Sequence, residues 1–243
     1  MRMSSIPQTK MAKITSELQK AYKSLFINLP KKNVKLFSLG NAKLPNDCAI
    51  FNLLAVYDCP NCKTCADTCY AKFRQSTESV FKSREVNSLI AHRSLPIFIL
   101  AATVQLQWLK QTKNIKYVRI HEAGDFFSVG YYMAWREIAK AHPNLEFFAM
   151  TKNDEVYELH KILSKLPCNN LNIMTSMIDG KRNYGSEEYC DKLVLENGAY
   201  KCPDTSHNGV CLQQCKYCLK GDRPCFIIHG TLKGKDKYEE KIA

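Results

Sequence analysis

No apolar run in this 243-residue chain reaches membrane-spanning length, since even Leu95 to Leu109 is interrupted by Pro96, Gln105 and Gln107. The N-terminus lacks the apolar centre of a secretory signal. Met1 to Lys10 is polar and basic, which predicts a non-secreted, cytoplasmic protein with no membrane partner. Internal repeats and low-complexity tracts are missing as well, so no repeat architecture is expected. Acidic residues are scarce: 23 Asp and Glu stand against 35 Lys and Arg, a formal net charge of +12. In the N-terminal segment Arg2, Lys10, Lys13, Lys20, Lys23, Lys31, Lys32 and Lys35 face only Glu17. Such an excess attracts an anionic substrate, a nucleic acid or an acidic protein without choosing among them, and a solvated face is the plainer reading. The rest is ordinary globular material, 45% hydrophobic and 24% charged, enough for a sizeable core.

Cysteine, by contrast, is abundant. Twelve cysteines in a chain without a secretion signal point to metal rather than to a disulfide framework. Nine of them fall in two short stretches, leaving Cys48, Cys168 and Cys190 as expected buried thiols. The first stretch, Cys59, Cys62, Cys65 and Cys69, has spacings of two, two and three residues, as in the bacterial ferredoxin run, with Tyr70 where a proline usually follows. A 4Fe-4S cluster fits this tight run better than zinc, whose modules usually bring two knuckles from separated segments. Three ligands, Cys59, Cys65 and Cys69, would leave an iron open to S-adenosylmethionine or substrate. Cys62 as a fourth would close the site and make an electron-transfer or structural centre. The second stretch holds Cys202, Cys211, Cys215, Cys218 and Cys225, one thiol more than a single site needs. Its octet Cys211 to Cys218 looks like the cluster signature of radical S-adenosylmethionine enzymes, but too little chain follows to build a barrel. An auxiliary iron–sulfur cluster or a zinc knuckle is the expectation there.

Periodicity organises the middle of the chain. Met11, Ile14, Leu18, Tyr22 and Leu25 have helical spacing within Gln8 to Phe26, and Ala49 to Tyr57 is short and apolar enough for a buried strand. Helices over Glu78 to Ile90 and Ile97 to Lys110 precede strands at Lys116–His121, Leu145–Met150 and Leu171–Thr175. Between those strands lie helices at Tyr131–Ala141 and from Asn153 to Leu166. This alternation implies an α/β fold with parallel strands, either an open sheet or a complete or partial barrel, with ligands at the carboxyl ends of the strands. Three regions are expected: a basic helical segment (1–36), a partial (β/α) barrel carrying the first cysteine group (37–180), and a loop-rich, cysteine-rich metal-binding region (181–243).

The strand ends supply the non-cysteine candidates for cofactor or substrate binding. Gly124 would admit a close ligand or simply make a tight turn, and Asp125 and Glu122 would accept from an amine or ribose, or else from nearby backbone donors. Arg119 and His121 alternate with Val118 and Ile120 and so are expected to face a barrel lumen. Thr151 and Lys152 sit at the next strand end, where the lysine could hold an anion. Phe126, Phe127, Tyr131, Tyr132 and Trp135 could stack bases, although Tyr131, Trp135 and Ile138 have the spacing of a buried helix face.

The run Cys59 to Ala71 and the block Arg119 to Ser128 resemble the Gene product 88 family of phages, as do Phe148 to Lys152, Cys202-Pro203, Cys211 to Cys218 and His229. Related proteins occur in large DNA viruses, so the resemblance implies a viral origin. The family layout is similar to a shortened radical-SAM barrel, with cysteines after the first strand and a glycine-acid turn after the second. What the resemblance implies is a two-cluster, radical-SAM-like iron–sulfur enzyme. A redox carrier fed by an electron donor and a zinc-held nucleic-acid-binding module are the alternatives.

Overall fold

Val118 and Ile120 are fully buried while Tyr117 and Arg119, on the alternate positions, are half-buried, the pattern of a strand covered differently on its two faces. This strand, β3 (Tyr117–Ile120), is the centre of a five-stranded sheet in a computed structural model that describes residues 34–62, 66, 69–166, 168, 170–203, 211–213 and 215–227. The expected helix over 8–26, Cys65 and His229 lie outside those residues.

The sheet runs β1 (Phe37–Leu39), β2 (Cys48–Phe51), β3, β4 (Glu146–Thr151) and β5 (Leu171–Thr175), in chain order. β2 to β5 are parallel, with Phe51 opposite Ile120 and Ile120 opposite Ala149, and β1 closes one edge antiparallel to β2. The α/β reading therefore holds with a mostly parallel sheet. β1 precedes the first strand read from the periodicity, and β2 stops at Phe51 rather than Tyr57.

Helices α1 (Tyr70–Arg74), α2 (Glu78–Arg93) and α3 (Leu95–Lys113) separate β2 from β3. The helix α4 (Val129–Ala141) leads to β4, and α5 (Asp154–Leu163) leads to β5. Their starts follow from local chemistry: Ser94 accepts from the Ile97 amide with Pro96 in the first turn, and Ser128 and Asn153 accept from Tyr131 and Val156. Residues of α2 to α5 bury one sheet face. Trp135 packs edge-on against Phe51 at 5.1 Å and Phe98 at 5.3 Å, so truncating it to alanine should cost about 3–5 kcal/mol.

The opposite face is covered by the chain's own C-terminal cysteine segment. Cys48, Ile50, Phe148 and Met174 of the sheet pack with Leu212, Cys211, Cys218 and Leu219. Asn172 clamps the segment by donating to the carbonyls of Cys218 (3.0 Å) and Gly221 (2.7 Å). Past residue 180 the chain is less irregular than expected. A hairpin, β6 (Met177–Ile178) with β7 (Lys181–Arg182), is followed by α6 (Glu187–Asn197) and by a small sheet of β8 (Tyr184–Gly185), β10 (Pro224–Ile227) and β9 (Tyr200–Lys201). Among the described residues no helix is long and apolar enough to cross a membrane.

Candidate functional site

The first cysteine loop leaves β2 and is sewn across the carboxyl ends of β3 and β4. Asn52 accepts from the amides of Glu122 (2.7 Å) and Ala123 (2.9 Å), and Leu53 donates to the Ala123 carbonyl. Asn61 donates to the Lys152 carbonyl, the Tyr70 hydroxyl donates to the Glu122 carbonyl at 2.8 Å, and the Asp125 amide donates to the Asp58 carbonyl. Cys59, Cys62 and Cys69 thus sit over the ends of the parallel strands, all three half-buried, with Cys69 at the head of α1.

Asp58, beside Cys59, is a site the sequence reading passed over. Its buried carboxylate accepts from the Leu54 amide (2.8 Å) and from Ser88, and its other oxygen meets His92 Nε2 at 2.7 Å. The His92 ring stacks on Phe127 at 3.8 Å. This carboxylate anchors the loop to α2.

The strand-end candidates divide. Asp125 is buried, and its carboxylate accepts from the Thr151 hydroxyl (2.6 Å) and from the amides of Lys152 (2.8 Å) and Phe126 (2.7 Å). Burial raises its pKa against these donors. Asp125 and Thr151 are therefore occupied in joining the ends of β3 and β4. Gly124 has φ of +81°, and a Cβ there would lie 2.5 Å from that of Leu53, so the turn itself demands glycine.

His121 departs from the alternation that put it beside Arg119. Its φ of +62° swings the ring to the helix side, where Nε2 lies 2.9 Å from the Tyr131 hydroxyl and Nδ1 is buried with no hydrogen-bond partner. Burial, assisted by the Arg119 charge, lowers its pKa to about 3 and keeps it neutral. Of the two readings of the aromatics the core one holds: Phe126, Tyr131, Tyr132 and Trp135 are all fully buried and present no face to a nucleic acid. Arg119, in contrast, does face away from the helices, with its guanidinium carbon 5.1 Å from the Phe148 ring centre.

In the second cysteine group, burial, opposed by Arg119 and reinforced by Cys211, Cys202 and Cys215, pushes Cys218 up to about 12. Three thiols of the right chemistry for iron or zinc therefore lie within electrostatic reach of Cys218, and a bound cation would reverse the sense of that shift. Among the described residues, no three Cys, His, Asp or Glu side chains come close enough together to grip one metal ion. Cys48, read from sequence as a core thiol, is fully buried on the same face and within reach of Cys211. Cys225 is the member that departs from expectation. It forms a disulfide with Cys190 that joins β10 to α6, and while that bond stands its sulfur is not a metal ligand. Cys190 is buried as expected, but paired.

The family model of Gene product 88 matches residues 10–204. The chain belongs to the Gene product 88 family. The match takes in the whole parallel sheet, the first cysteine run and the Arg119 to Asp125 block, and it ends after Cys202. The Cys211 to Cys218 run, whose sequence resembles that family too, lies beyond the matched part. No curated protein and no solved structure matches the chain.

Proposed function

We propose that this Gene product 88 protein is a two-site iron–sulfur protein with a radical-SAM-like layout, its sheet an arc of a (β/α) barrel. Support for the arc comes from strand order: β2, β3, β4 and β5 lie side by side in sequence, with α2 to α5 on one face, as barrel strands do and doubly wound strands do not. The observation that carries the site is the anchoring of the Cys59 to Cys69 loop across the ends of β3 and β4 by Asn61 and Tyr70. Cys59, Cys65 and Cys69 would hold the first cluster and leave one iron open, with Cys62 outside its shell, and Cys202, Cys211, Cys215 and Cys218 would hold the second. When bound, a cluster with an open iron supplies one-electron reduction of a chelated ligand such as S-adenosylmethionine. The chain's own part is to orient the loop through Asn52, Asn61 and Tyr70, and to shield the second site from water between β2, β4, β5 and Leu212.

Anaerobic reconstitution with iron and sulfide, followed by metal analysis and electron paramagnetic resonance with and without S-adenosylmethionine, tests the proposal. Two clusters, one with a signal altered by S-adenosylmethionine, is the expected result. Two clusters indifferent to that ligand would make the protein a redox carrier, and colourless protein holding zinc would end the iron–sulfur reading.

A further inference from the structure

We propose that Arg84 of α2 is the positioning residue of the first cysteine site, closing the base of its loop and setting a buried positive charge near Cys69. The proposal deepens the iron–sulfur reading of that site and rests on it. The segment from Cys59 to Cys69 is entered from the turn at 54–58 and left into α1, and one pair of side chains ties the two limbs together. Arg84 Nη1 donates to the Ala71 carbonyl of α1 at 2.8 Å and to Gln75 Oε1 at 3.2 Å. Gln75 Oε1 also accepts from the Ala55 amide at 2.8 Å, on the entering limb. Ala55 and Ala71 pack together with Ala123 and Cys69. The tie belongs to a polar stripe on α2: Arg84, Ser88 and His92 follow one another at four-residue spacing on one helix face, and Ser88 and His92 hold the Asp58 carboxylate of the entering limb.

Arg84 is only 7% exposed, and among the described residues it makes no ion pair. Its two acceptors are neutral, a backbone carbonyl and a carboxamide, and a buried cation held by neutral groups alone carries a desolvation cost. Burial lowers its pKa, and the negative groups that oppose this are Tyr70, Glu122 and Cys69. Glu122 lies within electrostatic reach but bonds to Asn41 at 2.7 Å. A neutral strut would tie the two limbs at a smaller cost, so the charge of Arg84 calls for an anion at the loop. Thiolates gathered on a metal at Cys69 supply that negative charge, and the guanidinium then serves the site twice, by holding the loop closed and by offsetting the charge of its thiolates.

Full-length protein carrying Cys202→Ser and Cys215→Ser, two half-buried thiols of the second group, isolates the first site. After anaerobic reconstitution with iron and sulfide, iron retained against a chelator and the midpoint potential followed by electron paramagnetic resonance are measured in this background. Arg84→Met should weaken retention about tenfold or more, as loss of an outer partner does, and move the potential to a more negative value, because a nearby cation favours the reduced cluster. Arg84→Lys should restore the potential and only part of the retention, since an ammonium keeps the charge but lacks the planar fork. Gln75→Leu keeps the cation and breaks the tie to Ala55, so it should weaken retention at an unaltered potential, and it remains informative if Arg84→Met fails to fold. Unaltered retention and potential in Arg84→Met, or no recovery of the potential in Arg84→Lys, overturns the assignment. Hydrogen exchange at the Ala55 amide of the metal-free chain separates this result from failure of the cluster reading. A background protein that takes up no iron ends the iron–sulfur reading, and faster exchange in Arg84→Met and Gln75→Leu then still supports the closed loop base, whereas unchanged exchange in both overturns it.

Discussion

Cys190 of α6 and Cys225 of β10 are joined by a disulfide across 35 residues of chain, and the Cys225 carbonyl also accepts from the Cys202 amide at 2.8 Å. The bond therefore holds the small C-terminal sheet beside the second cysteine group without entering it. Closing a loop of this length removes about 4 kcal/mol of denatured-state entropy in the chain-entropy model. Thermal melts should show the wild-type chain losing stability of that order on reduction, while the Cys190→Ser, Cys225→Ser double variant stays indifferent to reductant. Iron per chain should be unchanged in Cys225→Ser and reduced in Cys218→Ser. A fall in iron with Cys225→Ser would return that sulfur to the ligand set.

Acid should unfold the protein earlier than its charge suggests, because burial holds three histidines, His121, His142 and His160, toward the neutral form. His160 has Nδ1 3.0 Å from the Tyr132 hydroxyl and Nε2 accepting from the Ile173 amide, and burial lowers its pKa to about 4. His121 is lowered to about 3. Both folded values lie below the unfolded value of about 6.5, so below that pH the unfolded chain binds the extra protons and stability falls with pH. Between pH 7 and pH 5 each histidine should cost the folded state about 2 kcal/mol. Asp125, its pKa raised by burial, works in the opposite sense, favouring the folded state as pH drops through the raised value. Urea midpoints at the two pH values measure the net slope, and His160→Gln should make it shallower.

The contrast between His121 and Arg119 shows how far the sequence could be read. Alternation along Tyr117 to Ile120 correctly separated the two faces of β3, and the caps at Ser128 and Asn153 located α4 and α5. One positive φ at His121 was enough to reverse the face of the next side chain, and nothing in the residue type announces such an angle. The helix α6 was missed although its signals were present: Ser186 caps it, Glu187 and Glu188 fill its first turn, and Gly198 ends it. That Cys225 pairs with Cys190 follows only from β10 lying against α6, a relation that no spacing encodes.

Asp125→Asn tests whether this residue serves structure or chemistry. The carboxylate accepts three hydrogen bonds, and an amide would turn a donor toward one of those donors, costing about 1–3 kcal/mol. Denaturant unfolding should show that loss. Iron per chain after anaerobic reconstitution should stay near wild type. An undiminished stability with abolished iron uptake would instead give Asp125 a part in the metal site.

Two glycines with nearly the same backbone angle separate strain from close approach. Gly124 has φ of +81° and Gly180 φ of +80°, but an added Cβ meets Leu53 Cβ at 2.5 Å in the first case and nothing within 4 Å in the second. Gly180→Ala should therefore cost only the left-handed backbone penalty, about 1–2 kcal/mol. Gly124→Ala should add an overpacking cost of about 1–3 kcal/mol. Leu53 donates to the Ala123 carbonyl, so relief of the clash must push the first cysteine loop away from the end of β3. Iron uptake at the first site should then fall in Gly124→Ala and hold in Gly180→Ala. If the two variants were equally stable and equally loaded with iron, the junction between Leu53 and Gly124 would have no part in positioning the thiols.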